Sequence, residues 1–369
     1  MRYKPAEKIF KKAMIGLFSA FLPDVLYSPD QVKLDSVKSI LVIRQHDQLG
    51  DLILTTPVYR ALRQRFPQAR ITAMARYYTH PVLHNNPNID RVLVYPEKLK
   101  LATPKRLFQL LKGLRQSYDL CIVLNTVSHS LSSDVLGLLS GARYRLGTSE
   151  LPFYDFRPNL FYNILSAPPT FPLHETKRSL LITERLGITT DDLSEEVCLT
   201  PEEQEQGRKL LWDRHLIPEK TIGLNLGAYN MPNRWPYRKY AALADWLASE
   251  FGFQIAVFWG PRENNLGERF LGAVNVKVTA LPGLDVRQLA GVLRQLRLVV
   301  CNNTGIMHLS AAVGAPTFAI FGQNDPELWR PLNKNFYGVR GLDKTCASAE
   351  LEVVQSGIKR MLDRMDSIT

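Results

Sequence analysis

The stretch LVVCNNTGIMHLSAAVGAPTFAIFG, Leu298 to Gly322, interrupts an apolar run with Asn302-Asn303-Thr304-Gly305 and then resumes at helical spacing. Such a break can make an anion site. A helix N terminus presents unpaired N–H groups and a partial positive charge. Thr304 adds a hydroxyl, Gly305 permits close approach, and the first turn carries no acid. Asn or Thr would serve equally as an ordinary helix cap, and the residues alone leave both readings open. Three further stretches repeat the pattern of strand, polar turn and helix. In RQHDQLGDLILTTPVYRAL, Gly50 allows a tight turn and Asp51 stands just before a helix opening at Thr55-Thr56-Pro57. A carboxylate there is stabilised as the anion and could act as a general base, or could merely cap. In LGAYNMPNRWP, Leu226 to Pro236, Arg234 is the only charge and suits a diphosphate. In WGPRENN, Glu263 could accept ribose hydroxyls or satisfy the helix dipole.

The elements that must position these residues are read from apolar periodicity. SILVIRQ, ARITAMA, RVLVYP, YDLCIVLN and RYRLGT read as strands, separated by helical patterns over Thr56 to Phe66, Pro104 to Ser117 and beyond Asp134. Residues 150 to 175, rich in proline and aromatics, read as a loop. Thr176 to Leu186 is helical, and Thr200-Pro201-Glu202-Glu203 is a helix start. TIGLNLG then opens a second series: helix Tyr237 to Phe251, strand QIAVFWG, helix Glu263 to Leu271, then KVTAL, VRQLAGVLRQL, RLVVCN, IMHLSAAVG and PTFAIFG. Strands alternating with helices at this spacing imply βαβ units and parallel sheets. The expected organisation is an N-terminal segment over 1–30, one α/β domain over 31–200, a second over 201–345, and a C-terminal helix over 346–369 that could pack back on the first domain.

A chain of 369 residues has room for two domains of about 150 residues each. Its four cysteines are far apart with no C-x-x-C, which speaks against zinc and disulfide frameworks and fits a reducing compartment. The net charge of +11 points to nucleic acid, an anionic membrane surface or phosphorylated substrates. Lys98 to Arg115 carries six Lys/Arg and no acid. The N terminus is basic and then apolar from Ala13 to Leu22, too short to span a bilayer; it reads as an amphipathic helix lying on a membrane or docked on the protein's own core. G-x-G-x-x-G, Walker A, D-x-D, H-E-x-x-H and G-x-S-x-G motifs are all missing, and no nucleic-acid module is matched.

Taken together, IRQHDQLGDLILTTPVYRALRQRFPQARI, GLNLGAYNMPNRWPYRKYAALADWL and LPGLDVRQLAGVLRQLRLVVCNNTGIMHLSAAVGAPTFAIFGQNDPELWRP resemble glycosyltransferase family 9, the bacterial ADP-heptose:lipopolysaccharide heptosyltransferases. The resemblance runs from about Ser39 to Pro331. It implies an α/β fold of two facing Rossmann-like domains, the GT-B type, with the active site in the interdomain cleft. By resemblance Asp51 is the general base, and Thr304 and Gly305 hold the donor diphosphate with His308 one turn on. Glu263 binds the ribose and Leu284 covers the adenine. Gly227, Asn233, Arg234 and Asn303 complete the donor side; Arg44, Gly50 and His129 are assigned to the acceptor side. The implied reaction inverts the anomeric centre and needs no metal or other cofactor. The implied partners are a nucleotide sugar, an anionic glycolipid or lipopolysaccharide-core acceptor, and the cytoplasmic face of the inner membrane, with no nucleic acid.

Two departures stand near the donor. The family usually has Asp-Thr-Gly where this chain has Asn303-Thr304-Gly305, and that Asp contacts sugar hydroxyls. It often has Lys where this chain has Asn233. The Q-G-L-x-K-S pattern of the enzyme that primes the inner core is replaced by Asn125 to Ser130. A different nucleotide sugar, or a non-catalytic sugar-binding role, are therefore the competing expectations.

Overall fold

Apolar, β-branched runs of about five residues suit strands buried on both faces, as in a parallel sheet. The computed structural model describes residues 16, 25–98, 101–127, 129–149, 160–281 and 283–367. The expected amphipathic stretch from Ala13 to Leu22 lies outside them, apart from Gly16. In chain order the described elements begin with β1 (Ser39–Ile43), α1 (Leu49–Ile53), α2 (Thr56–Arg65), β2 (Arg70–Arg76), β3 (Arg91–Tyr95), α3 (Pro104–Leu114), β4 (Leu120–Val123), α4 (Leu131–Leu139), β5 (Tyr144–Thr148), β6 (Ile164–Ser166) and α5 (Glu175–Glu184). They continue with α6 (Pro201–Trp212), β7 (Thr221–Asn225), α7 (Tyr237–Phe251), β8 (Gln254–Phe258), α8 (Asn264–Leu271), β9 (Val278–Ala280), α9 (Val286–Gln295), β10 (Leu298–Asn302), α10 (Gly305–Ala312), β11 (Thr317–Phe321), α11 (Pro326–Trp329), β12 (Phe336–Arg340) and α12 (Leu351–Asp366).

Contacts divide the chain into two units. The first comprises Met1–Asp47, Pro57–His80 and Pro87–Asp191; the second comprises Gln48–Thr56, Pro81–Asn86 and Asp192–Thr369. The first unit holds a six-stranded parallel sheet in the order β3-β2-β1-β4-β5-β6. Leu41, Ile43, Met74, Cys121 and Val123 meet Leu110, Leu114 and Tyr162 in its core. The second holds β12-β11-β10-β7-β8-β9, also parallel. Read from its other edge this is the same doubly wound order, so each sheet reverses its winding at one point. Those points are the crevices between β1 and β4 and between β7 and β10, where ligands of such sheets bind.

Two elements differ from the expectation. The 150–175 loop contains β6 within its described part, because Ile164 and Ser166 pair with β5 while Phe161 and Tyr162 enter the core. β12 was not expected; Phe336–Arg340 is only partly buried at a sheet edge and lacks a continuous apolar run. In helix α12, Val354, Ile358 and Leu362 join Trp235, Phe318 and Ile320 in the second unit's core. None of the four cysteines is in a disulfide. Burial pushes the Cys121 and Cys346 thiols up to about 12, and raises Cys301 as well. Among the described residues, no helix is long and apolar enough to cross a membrane.

The start of α6 is a capping box. Thr200 Oγ1 accepts the Glu203 N–H (3.1 Å) and Glu203 Oε2 accepts the Thr200 N–H (2.8 Å). Arg287 Nε–H also donates to Glu203 Oε1 (2.7 Å). That bond, more than any other, holds the Glu203 carboxyl below its ordinary value of 4.5. A lowered folded value gives stability that is present above the unfolded value and lost as pH falls through the folded one. Thr200→Ala is expected to cost about 1 kcal/mol in equilibrium denaturation. Glu203→Gln keeps the cap but loses the ion pair. Its deficit at pH 7, about 1 kcal/mol or less, should close as pH falls below 4.5. A deficit that persists in acid would show that the ion pair is not its source.

Candidate active site

In the second unit, β10 ends in Asn302, whose side chain is fully buried. Its Nδ2 donates to the carbonyls of Leu226 (3.0 Å) and Gly227 (3.1 Å), and its Oδ1 accepts the Trp235 N–H (2.9 Å). One amide thus pins both ends of the loop that follows β7. Trp235 is itself buried, donates Nε1–H to the Ala349 carbonyl (2.9 Å), and stacks edge-on against Tyr240. Asn302 was absent from the expected site residues. Its signal was visible in the Asn-Asn break, but the residue type alone does not say which asparagine faces the fold and which faces a ligand.

Glu263 is the N-cap residue of α8, and its carboxylate reaches back to the same loop. It accepts N–H bonds from Ala228 (2.9 Å) and Gly260 (2.9 Å) and pairs with Arg234 (3.1 Å). Gly227 makes room for it: a Cβ there would lie 2.0 Å from Glu263 Oε2. Arg234 also donates to the Ala228 carbonyl (2.6 Å), while its buried Nε has no protein partner among the described residues. Gly227, Arg234 and Glu263 therefore come together as one charged cluster. Asn233 is turned to a different use, since its Oδ1 accepts the Gln323 N–H (2.9 Å) and ties the loop to the end of β11. Leu284 lies half-buried just ahead of Asp285, the N-cap of α9.

At the start of α10 the ordinary-cap reading fails. Thr304 is the N-cap residue, yet its side chain makes no capping bond. Thr304 Oγ1 and the Nδ2 of buried Asn303 have no partner among the described residues. The Asn303 backbone N–H is used by the Ile320 carbonyl (3.0 Å), so its side-chain donor is what remains for a ligand. A buried unpaired donor costs about 1–3 kcal/mol unless something satisfies it.

The second unit also contains α1, which packs on α10. Gly50 was read as a tight turn, but it lies inside α1. Its missing Cβ admits His308, whose Cδ2 would be 2.7 Å and Nε2 3.4 Å from one. A Cβ on Gly305 would likewise sit 3.1 Å from Leu49 Cβ. His308 Nδ1–H donates to Glu195 (3.0 and 3.2 Å), and both side chains are buried. A carboxylate only accepts, so this bond fixes the ring tautomer and leaves Nε2 toward Gly50. Glu195 was missed because nothing in its spacing links it to His308, 113 positions away. Asp51, expected just ahead of a helix opening at Thr55, is instead the third residue of α1, and its Oδ2 accepts the Gln48 N–H (2.9 Å).

The crevice of the first unit carries its own network. Arg44, just beyond β1, is buried and donates to the Leu124 carbonyl (3.1 Å), to Thr126 (2.7 Å) and to Glu175 (3.3 Å), and it pairs with Asp47 (3.0 Å). Burial pushes the Glu175 carboxyl up, against the pull of Arg44. Arg44 is therefore an interior organiser of this strand end. His129 Nε2 lies 2.5 Å from Asp134 Oδ2, while Asp134 Oδ1 accepts from Asn125 (2.9 Å) and from Tyr162. Gln45 Nε2 reaches Ser132 and Ser133 (both 3.0 Å).

Two parallel sheets, each with polar side chains at its switch point, and an uncapped helix start beside a Glu–Arg cluster suit a nucleotide-linked substrate. Comparisons with known proteins agree. Residues 107–355 match glycosyltransferase family 9 (heptosyltransferase). Lipopolysaccharide heptosyltransferase 2 of Escherichia coli K12 is 27% identical over 308 residues, covering 77% of this chain and 83% of that protein. The crystal structure of a family 9 glycosyl transferase from Veillonella parvula aligns with a TM-score of 0.78 at 22% identity, covering 89% of this chain and 98% of that one. The E. coli ADP-heptose lipopolysaccharide heptosyltransferase II structure aligns at 0.71 and 23%, covering 89% and 99%. The chain belongs to glycosyltransferase family 9, the heptosyltransferase family, and is a glycosyltransferase.

Proposed function

We propose that this glycosyltransferase moves heptose from ADP-heptose to a lipopolysaccharide-core acceptor by a single inverting displacement that needs no metal, at the cytoplasmic face of the inner membrane. One observation carries the reading: the buried Asn303 Nδ2 and the Thr304 hydroxyl stand without partners among the described residues at the N terminus of α10. Donors of that kind call for an acceptor-rich anion, and a diphosphate supplies one. The similarity to heptosyltransferase 2 and to the ADP-heptose enzyme's fold supports the choice of donor and acceptor.

The chemistry follows from the residues. The acceptor hydroxyl oxygen attacks the anomeric carbon, the carbon–oxygen bond to the diphosphate breaks, and ADP departs with the electron pair. Asp51 takes the hydroxyl proton. It sits in the first turn of α1, where the helix favours the anion. The charge on ADP is met by N–H groups at α10 and by the Arg234 Nε–H. Among the described residues, Glu263 Oε1 is taken up by Ala228 and Arg234, while Oε2 accepts only the Gly260 N–H. A ribose hydroxyl can take the remaining lone pair.

Asp51→Asn is expected to lower kcat at least about 100-fold and to leave ADP binding by calorimetry unchanged. Near-native turnover would remove Asp51 from the mechanism. Gly227→Ala forces the Glu263 carboxylate aside. ADP affinity should fall roughly 5- to 150-fold, the equivalent of one lost buried hydrogen bond, with the unfolding temperature showing that the protein is still folded. Unchanged affinity would mean that Glu263 does not read the nucleotide.

A second reading, a different donor sugar, is favoured by Asn303 standing where the family usually has Asp. Asn303→Asp decides between them. An ADP-heptose enzyme should hold or gain kcat/KM with ADP-heptose, while a site tuned to another sugar should lose about 5- to 150-fold with its true donor. The measurement is kcat/KM for both proteins across a panel of nucleotide sugars.

A further inference from the structure

Helix α3 has two apolar faces. Leu110, Gly113 and Leu114 are buried against the first unit's core. Leu107, Phe108 and Leu111 are 40%, 66% and 49% exposed. At 3.6 residues per turn these three form one outward stripe, with Lys105 and Lys112 along its edge. The outward face of a helix packed on a soluble core is normally polar, so the stripe is not explained by folding.

The surroundings of the stripe select its partner. No Asp or Glu occurs from Lys98 to Arg115. Tyr77 and Tyr78 are also exposed. The Arg106 guanidinium lies 4.4 Å from the Tyr77 ring centre, and Arg76 and Lys98 lie 5.8 and 5.7 Å from that of Tyr78. Aromatic and aliphatic groups rimmed by cations are what the headgroup boundary of an anionic bilayer accommodates, with rings at the interface and lysines reaching phosphates. A second copy of the chain would set this cationic face against its twin, which like-charge repulsion opposes.

We propose that α3, with Tyr77 and Tyr78, is a docking surface for an anionic membrane, with Leu107, Phe108 and Leu111 entering the headgroup boundary. It names the membrane contact that the proposed function needs, and it does not depend on which sugar is transferred. The docking is reversible and weakened by salt, because its charges stay near water.

The test is flotation of the full chain with vesicles of phosphatidylcholine containing about one third phosphatidylglycerol, against pure phosphatidylcholine, without donor or acceptor. The wild type should float with the anionic vesicles and not the neutral ones. The double variants Phe108→Ser/Leu111→Ser and Lys105→Glu/Lys112→Glu should each bind at least about 10-fold more weakly, with unchanged unfolding temperature, since all four side chains are exposed. A chain lacking residues 1–22 should keep binding that these variants remove. Undiminished flotation of both double variants overturns the proposal, as does loss of all binding with residues 1–22. A shift from dimer to monomer in Phe108→Ser/Leu111→Ser, with vesicle binding unchanged, would assign the stripe to a second copy instead. No sugar transfer enters these readouts, so a wrong donor assignment would leave the result standing, and failed flotation would leave the donor assignment untouched.

Discussion

The side-chain amide of Asn302 holds the strand ends at the second unit's switch point in shape. A parallel strand that ends under a loop leaves backbone carbonyls and N–H groups in a place water reaches poorly, and each must find a partner. Asn302 supplies three bonds from one fully buried group, two to carbonyls and one to an N–H. Its loss would strand all three backbone groups at once. With the loop fixed, Glu263 has a defined place to dock. The carboxylate then collects two N–H bonds and Arg234, so the loops after β7 and β8 are locked by a charge as well as by an amide. Gly227 is required twice over: its carbonyl meets Asn302 and its missing Cβ yields space to Glu263.

The neighbouring contact between α1 and α10 obeys a different constraint, that of distance. Gly50 and Gly305 let the two helices approach until His308 lies against the backbone of α1. A histidine buried there could rotate or change tautomer, and Glu195 removes both freedoms by binding Nδ1. The outcome is one imidazole nitrogen presented in a fixed direction, next to the residue that precedes Asp51. Placement of this kind lowers the reorganisation a reaction must undergo, and it depends on a carboxylate far away in sequence.

The alternation of strands and helices was legible because period-2 and period-3.6 apolar patterns survive in single sequences. Helix α7 over Tyr237–Phe251 falls where its pattern does. What was illegible has physical causes. β6 is three residues long, too short for any period to show, and exists because β5 offers it an edge. α1 is five residues long and carries the general-base candidate, so the turn chemistry of Gly50-Asp51 hid a helix. At the site, residue types flagged Asp51, Glu263 and the Asn-Thr-Gly break, because carboxylates and amides at strand ends are unusual. Sequence could not tell Asn302, spent on the fold, from Asn303, left with an unpaired donor. It could not separate Arg44, which reads as a ligand-facing cation, from an interior one, because Glu175 and Asp47 become its partners only in three dimensions.

That last contrast separates the two switch points. Both sheets have the same strand order, so topology gives each a crevice. In the first unit the crevice charge is compensated from within: Arg44 is held by two carboxylates, two hydroxyls and a carbonyl, and Asp134 by a histidine, an amide and a phenol. A ligand there gains little from charge alone and must compete through shape and exposed hydroxyls such as that of Ser132. In the second unit the donors outrun the acceptors, with Asn303 Nδ2, Thr304 Oγ1 and Arg234 Nε unmatched among the described residues. A site with surplus donors is destabilised until an anion fills it. The family's usual Asp at position 303 would use up part of that surplus, whereas Asn303 adds a donor where that acid would add only acceptors. Under the proposed function, the residue at 303 sets how much of the site's donor capacity is reserved for the diphosphate and how much is left to discriminate the sugar.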